Sequence, residues 1–413
     1  MRSLLGAERV RAPRGGEALA AALIVEPRDA DEVAEVVRVC EAERIALAPL
    51  GAARTLAEIR RAPVALGVSL ARMNRIVTYE PEDMTVTVEA GIALGALNAR
   101  LAAHGQRLPL DPPDPQAAAV GALLGAAHSG PLRLSEGTPR DLLIGVRFVG
   151  HSGRLVHGGG RVVKNVAGYD LMKVMTGSFG TLGIIHEATF KVRPLPEDYT
   201  TGLTAFKSTA AAFAAAAALN DALPLVHLEV LSPAPAARFG YAGAFLTLTG
   251  FAGNPSEIAY QRGRIAELAS GAEFIEGARA NENYELLRDL ELAPTPGGAA
   301  AMVARLATPP AELARCVEAC AAEFRAHAGS GVAEIFVGGD LSPAEARKAL
   351  ARWRAAAHAV RGNLRLLAAA PALRAHLDFF DEPPAGALGL MRRMKTVFDP
   401  AGIFNPGCFA GGI

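Results

Sequence analysis

Between Gly158 and Ile184 the chain reads GGGRVVKNVAGYDLMKVMTGSFGTLGI, and no other stretch restricts the possible folds so sharply. Gly177, Gly180 and Gly183 recur at a spacing of three, with the Ser178 and Thr181 hydroxyls between them. Glycine lets a backbone come close to a ligand or to another backbone. A strand-like run at 184–192 follows and is ended by Pro194 and Pro196. Upstream, Lys164, Asn165, Tyr169 and Asp170 set a cation, an amide, a phenol and a carboxylate within seven residues. One reading is a solvated helix start capped by Asn165; the sharper one is a polar cluster facing a ligand crevice.

Two further small-residue stretches have a related character. Residues 49–55 (PLGAART) follow an apolar run and could present backbone N–H groups to a phosphate. Residues 117–130 (AAAVGALLGAAHSG) follow a proline-rich DPPDP and could do so in extended form. Neither these nor Gly177–Gly183 is a GxGxxG or GxxxxGK[ST] loop. Taken singly, each also reads as an ordinary tight turn.

Periodicity orders the rest. Residues 20–25 read as a strand. Residues 30–44 read as a helix with Val33, Val36, Val37 and Cys40 on one face and Asp29 or Asp31 as cap. Residues 45–50 read as a second strand. MTVTVE at 84–89 alternates as a half-buried strand should, and residues 94–105 resume as a helix. A hairpin is expected around Ser152 and Gly153, and a domain boundary at 194–198. Beyond it, helices are expected at 209–219, 255–269, 311–328 and 343–360. Strands are expected at 226–231, 244–249, 299–306 and 332–337.

The 42 basic and 42 acidic residues cancel. A neutral chain has no global field to gather nucleic acid, which argues against that class of partner. The longest apolar stretches, 117–127 and 209–219, are well short of the roughly 20 residues of a transmembrane helix. The N-terminus lacks the apolar core of a signal peptide. The four cysteines form neither a disulfide framework nor the CxxCxxC run of an iron–sulfur cluster. A reducing, cytoplasmic setting is the default. The nine histidines are scattered, with no pair at metal-ligand spacing.

The segment from Gly158 to Ile184 resembles the end of the FAD-binding domain of the vanillyl-alcohol-oxidase / p-cresol-methylhydroxylase superfamily. More narrowly, it looks like the family of FAD-binding small subunits of bacterial glycolate oxidase. Ser129–Arg133 with Gly137–Gly145, and the tail from Lys395 through FDPAGIFNPG to Gly407, are similar to the same family. The resemblance runs over about residues 25–200 and returns after 385. It implies an α+β architecture: a two-subdomain p-cresol-methylhydroxylase-type FAD-binding domain over 1–195, an α+β substrate or cap domain over 196–385, and a segment 386–413 returning to the first domain.

The resemblance also implies a site. Pro49, Leu50, Gly51, Ala52, Ala53, Arg54 and Thr55 would wrap the FAD pyrophosphate. Pro112, Ala119, Val120, Gly121, Ala122, Ser129 and Gly130 would line the ribityl and pyrophosphate path. Gly183 and Ile184 would meet the adenine half, Lys164 would face the crevice, and Asn405 would return toward the flavin ring. Ala52, Ala53, Ala119 and Ala122 depart from the family's glycines and threonine. No histidine or cysteine stands where relatives attach flavin, so the FAD is expected to be non-covalent.

The implied reaction is oxidation of a small 2-hydroxy acid, with a larger FAD subunit and an iron–sulfur subunit as partners. Such a complex could hold the chain at the inner membrane. The chemistry needs a cation for the substrate carboxylate and a base for its hydroxyl proton. Arg305, in ARLATPP, is the expected cation, with Arg288 and Arg365 behind it; His128 and His376 are the candidate bases. A stand-alone dehydrogenase and a scaffold that has lost flavin are the alternatives.

Overall fold

The computed structural model describes residues 1–14, 21–51, 64–161, 168–293 and 299–413. The chain divides into two compact units. The first is Met1–Ser129, Thr138–Leu195 and Glu382–Ile413; the second is Gly130–Gly137 and Pro196–Asp381. The sequence expectation placed 130–137 in the first domain, but the chain contributes those eight residues to the second unit before returning.

The first unit opens with a strand, helix, strand. β1 (Ala21–Val25) leads to α1 (Ala30–Ala42), which β2 (Leu47–Leu50) follows. The Asp29 carboxylate starts α1 by accepting the Glu32 backbone N–H at 2.9 Å, which satisfies one of the donors a helix N-terminus leaves open. Val33, Val36, Val37 and Cys40 are buried on one stripe. Full burial of such side chains is worth roughly 1.5–3 kcal/mol each. β3 (Val64–Ser69) lies between β1 and β2, parallel to both.

A second, antiparallel sheet follows. Its strands are β4 (Ile76–Glu80), β5 (Thr85–Glu89), β6 (Leu143–Val149), β7 (Leu155–Gly159) and β8 (Ile184–Lys191), in the order β4-β5-β8-β6-β7. α2 (Leu94–Leu101) and α3 (Val120–Ala126) lie between β5 and β6 in sequence. The alternation of β5 predicted one wet face, yet all five of its residues are buried. The strand sits between β4 and β8, and the Thr87 hydroxyl, which would otherwise seek water, pairs with the Thr189 hydroxyl at 3.0 Å. At the β6–β7 turn, a Cβ on Gly153 would lie 2.6 Å from the Ala34 carbonyl, so only glycine allows this turn to seat on α1.

The second unit is built on one antiparallel sheet. β9 (Asp198–Phe206), α4 (Thr209–Ala222), β10 (His227–Leu231), β11 (Phe245–Gly253), α5 (Pro255–Leu268), β12 (Glu273–Glu276) and α6 (Ala278–Asp289) form its first part. β13 (Met302–Ala307), α7 (Leu313–Cys320), β14 (Glu323–His327), β15 (Val332–Val337), α8 (Pro343–Ala359) and β16 (Asn363–Ala369) complete it. The strand order is β12-β9-β11-β10-β14-β15-β13-β16.

The long helix expected at 311–328 is a correction. α7 stops at Cys320, Ala321 takes a left-handed φ of 46°, and the chain turns into β14. Cys316 and Cys320 are buried and free, on the α7 face toward the core. The Trp353 indole N–H of α8 donates to the Cys320 carbonyl at 3.2 Å, tying the end of α7 to α8. Among the described residues no helix is long and apolar enough to cross a membrane.

Candidate functional site

Four stretches that the sequence singled out meet inside the first unit. The end of β2 lies against α3: a Cβ on Gly51 would come within 2.3 Å of the Ala122 Cβ. The turn Gly177–Gly183 lies against both. A Cβ on Gly180 would meet Pro49 Cγ at 2.3 Å. The Gly177 and Phe179 N–H groups donate to the Leu124 and Gly125 carbonyls at 2.9 and 2.8 Å. The glycines thus serve close packing of loop on loop. Ala52, Ala53, Arg54 and Thr55, and likewise Lys164, lie outside the described residues.

The C-terminal tail is the fourth stretch. Leu47 N–H donates to the Ile403 carbonyl at 2.9 Å, and Asn405 N–H to the Leu47 carbonyl at 2.7 Å. The Asn405 side chain is fully buried and donates to the Phe179 carbonyl. Lys395 Nζ donates at 2.7 Å to the Thr181 carbonyl, the Phe404 carbonyl and Asp399 Oδ2. Asp399 also accepts the N–H groups of Ile403 and Phe404, at 3.0 and 2.8 Å. Burial pulls the Lys395 ammonium down, partly offset by Asp399.

The other residues expected at the site are held within the protein. The Val120 and Gly121 amides donate to the Ile92 and Ala90 carbonyls, and Ala122 to the Ala119 carbonyl. They are committed within the protein, and what residues 119–122 offer a ligand is small side-chain bulk. Asn405 is spent on Phe179. A Cβ on Gly183 would lie 2.7 Å from the Val149 carbonyl, and Ile184 pairs with Val149, so both are built into the sheet. Pro112 is buried in the coil between α2 and α3; Ser129 and Gly130 are buried at the point where the chain passes from the first unit to the second.

The assembly still fits a large polar cofactor, because one of its polar atoms is left open. Among the described residues, buried Ser178 Oγ has no hydrogen-bond partner. FAD, with a pyrophosphate, a ribityl chain and a flavin ring, offers acceptors and donors of the kind such an atom lacks. Pro49, Leu50, Gly51, residues 119–122 and the turn at Ser178 are the residues that would hold it, and they would supply a close-fitting wall to exclude water.

The second unit carries a different constellation, a row of charges across one face of its sheet. Arg365 on β16 stands opposite Arg305 on β13, Arg305 opposite Glu334 on β15, and Glu334 opposite Arg325 on β14. His327 continues the row opposite Glu229 on β10. Glu334 accepts Arg325 Nε at 2.8 Å and Arg305 Nε at 3.1 Å, and His327 Nε2 lies 3.3 Å from its Oε1. His327 Nδ1 lies 2.7 Å from Glu229 Oε1. Arg325, His327, Glu229 and Glu334 are each 2% exposed or less.

Burial opposes every one of these charges, and the partners decide the outcome. Arg325, His327 and Arg305 overcome burial and hold Glu334 well below the carboxylate range. Glu229 and Glu334 overcome it at His327 and raise the imidazole. Burial dominates at Glu229 and Glu291, which are raised despite His327 and Arg305 respectively. Burial, with Arg305 beside it, pushes Arg365 down to about 10. His227 is pushed down to about 3 by burial and by His327, and its Nε2 is held by Tyr199 Oη at 2.7 Å.

Arg305 is therefore embedded. It pairs with Glu334 at 3.0 Å and Glu291 at 3.8 Å, although its Nη2 makes no well-aligned hydrogen bond. Arg288 is paired with Asp289. His128 is half-buried and His376 exposed. Sequence reasoning missed Arg325, His327, Glu229 and Glu334. The signal available was the alternation of Glu323, Arg325 and His327 at the period of a strand, which the helix reading overlooked. Among the described residues, no group of three or more His, Cys, Asp or Glu is placed to hold a metal ion.

Comparison with known proteins agrees with this layout. Residues 21–159 match the family described as FAD binding domain, and residues 380–408 match FAD linked oxidases, C-terminal domain. The mitochondrial D-lactate dehydrogenase [cytochrome] of Arabidopsis thaliana is 28% identical over 93% of this chain and 72% of its own length. Glycolate oxidase subunit GlcE of Escherichia coli is 39% identical over 29% of this chain and 35% of that subunit. The chain thus spans only about a third of that subunit in the match. Among solved structures, p-cresol methylhydroxylase superposes with a TM-score of 0.73 at 16% identity, over 98% of this chain and 94% of that one. The second matched segment is the tail that Lys395 and Asn405 fasten to the Gly177–Gly183 turn. The chain is thus an FAD-dependent oxidoreductase, and its fold is that of p-cresol methylhydroxylase.

Proposed function

We propose that the chain oxidises a small 2-hydroxy acid such as glycolate, as an FAD-bearing subunit working with a larger FAD subunit and an iron–sulfur subunit. The observation that carries this reading is the cation row of the second unit. Arg305, Arg325 and Arg365 stand with Glu229, Glu291 and Glu334, and His327, raised against burial by Glu229 and Glu334, adds to the positive side of the row. A substrate carboxylate is the group that would balance it. The names of the relatives, which include a D-lactate dehydrogenase and a glycolate oxidase subunit, support the same substrate class.

FAD supplies the two-electron acceptor. Oxidation of the hydroxy acid would pass its Cα hydrogen with two electrons to the bound flavin and its hydroxyl proton to a base or to water, leaving the 2-oxo acid. The role proposed for this chain is to fix the carboxylate through Arg305, with Arg365 alongside. None of the four cysteines lies in a CxxCxxC run, which supports passing the electrons to another subunit.

A second reading, a stand-alone D-lactate-type dehydrogenase, is favoured by the match over 93% of the chain. Anaerobic addition of glycolate or D-lactate to the purified, flavin-loaded chain separates the two. Bleaching followed by turnover with a dye acceptor supports the stand-alone reading. Bleaching or turnover that needs the partner subunits supports the first. If neither occurs even with partners present, 2-hydroxy acid oxidation is wrong. In the productive case, Arg305→Met is expected to raise KM by about 10- to 100-fold through the lost charge-assisted contact, with FAD retained.

A further inference from the structure

A cavity of about 480 Å³ opens in the second unit, apart from the buried charge row, none of whose residues except through Tyr199's bond to His227 comes near it. Its origin lies in strand lengths. Asp198 and Tyr199 of β9 pair with Gly253 and Ala252 of β11 on one side. On the other side β12 reaches only as far as the pairing of Glu276 with Thr200. The chain then leaves through Gly277 at a left-handed φ of 62°, a conformation that favours glycine. The edge of β9 at Asp198 and Tyr199 is thereby left without β12 beside it, and the cavity forms there.

The facing wall is one stripe of α5. Pro255, Ile258, Ala259 and Arg262 line the cavity at i, i+3, i+4 and i+7, the spacing with which a helix buries a face against its neighbours. Farther along the helix the stripe continues into the core at Ile265, which is fully buried. Its first two turns instead present an apolar wall to open space, which an occupant would cover.

Charge decides which occupant. Arg262 is fixed in place, its Cζ 4.8 Å from the centroid of the Phe274 ring and its guanidinium paired with Glu276. Asp198 is exposed at the cavity and has no ion-pair partner among the described residues. The lining thus holds the carboxylates of Asp198 and Glu276 against the single guanidinium of Arg262. A monocation would balance it, whereas an anion would deepen the excess of negative charge.

We propose that this cavity binds a small organic ammonium ion, with its charged end at Asp198 and its apolar body along Pro255, Ile258 and Ala259. The site is separate from the one proposed for the 2-hydroxy acid, and its test does not depend on that substrate.

The test is calorimetric titration of the full-length, FAD-loaded protein with two probes of the same body and opposite charge, phenethylamine and 3-phenylpropionate. Phenethylamine is expected to bind, and 3-phenylpropionate to bind at least about tenfold more weakly. Asp198→Asn should weaken the amine by about tenfold, the worth of one charge-assisted hydrogen bond. Ala259→Trp, which sets an indole in the cavity, should abolish binding with Tm and flavin content unchanged. Should that variant fail to fold, Asp198→Asn, at an exposed position, carries the test alone. No heat from phenethylamine up to about 10 mM, equal or tighter binding of 3-phenylpropionate, or an amine affinity that Asp198→Asn leaves unchanged would each overturn the assignment.

Discussion

Asn405 donates its side-chain amide to the backbone carbonyl of Phe179, a residue 226 positions earlier. Asn405 also takes a left-handed φ of 43°, which asparagine tolerates better than most residues. Replacement by alanine loses the bond and meets the backbone penalty together. Asn405→Ala is expected to destabilise the first unit by about 2–4 kcal/mol and to accelerate FAD release. Thermal unfolding with and without added FAD checks this; an unchanged Tm in both would show that the tail is not a fastening.

Lys395 is the hub of the same tail, with three acceptors and an Asp399 partner that is 3% exposed. Lys395→Met strands Asp399 beside the Ile403 and Phe404 amides without its cation. A loss of roughly 3–5 kcal/mol is expected, as for breaking a buried pair from one side. The double variant with Asp399→Asn should be less damaged than additivity of the two single variants requires. Denaturant unfolding of the four proteins gives the coupling.

In the second unit Glu334 is shared by Arg325, Arg305 and His327. Glu334→Gln keeps the shape and removes the charge. It should cost about 3–5 kcal/mol, concentrated in the second unit, so hydrogen exchange of β13–β15 should rise while β5 and β8 stay protected. Uniform loss of protection would count against a local network.

His327 gives a pH dependence with a definite sign. Burial would lower it, but Glu229 and Glu334 raise its folded-state pKa above the ordinary 6.5. Its contribution is complete below the unfolded value and is lost as pH rises through the folded one. The Tm gap between wild type and His327→Gln should therefore be widest below 6.5 and narrow as the pH rises above it. His227 works in the opposite direction below 6.5, being pushed down to about 3, but it is present in both proteins and largely cancels in the difference. A gap that widens with pH would show that His327 is neutral when folded.

Much of the first unit was legible because its signals are local. The stripe of Val33, Val36, Val37 and Cys40 with Asp29 as cap marks α1 without any tertiary information. What failed needed knowledge of neighbours. Thr85–Glu89 reads as half-exposed from its alternation, yet all five residues are buried and Thr87 finds its partner, Thr189, on another strand. Glu323–His327 reads as a helix continuation, because Arg325 and His327 look like solvent-facing groups until Glu334 and Glu229 are brought to them from other strands.

The site shows the same division. Glycines and alanines at 51, 121, 122 and 180 announce close approach but not what approaches, and the answer was largely other loops of the same protein. Ser178 lay in plain view between two glycines. What distinguishes it, a hydroxyl with no partner among the described residues, is a property of the packed state alone.

The order of assembly on the ribosome follows from the way the tail is fastened. Leu47 on β2 waits for Ile403 and Asn405, and the Thr181 carbonyl waits for Lys395, all of them made after the last strand of the second unit. Domains generally fold as they emerge, N-terminal first, but here synthesis of the second unit ends before the first can close. The half-built nucleotide domain must therefore stand open throughout translation of the other, and a nascent chain halted anywhere before Lys395 carries an unfinished FAD site.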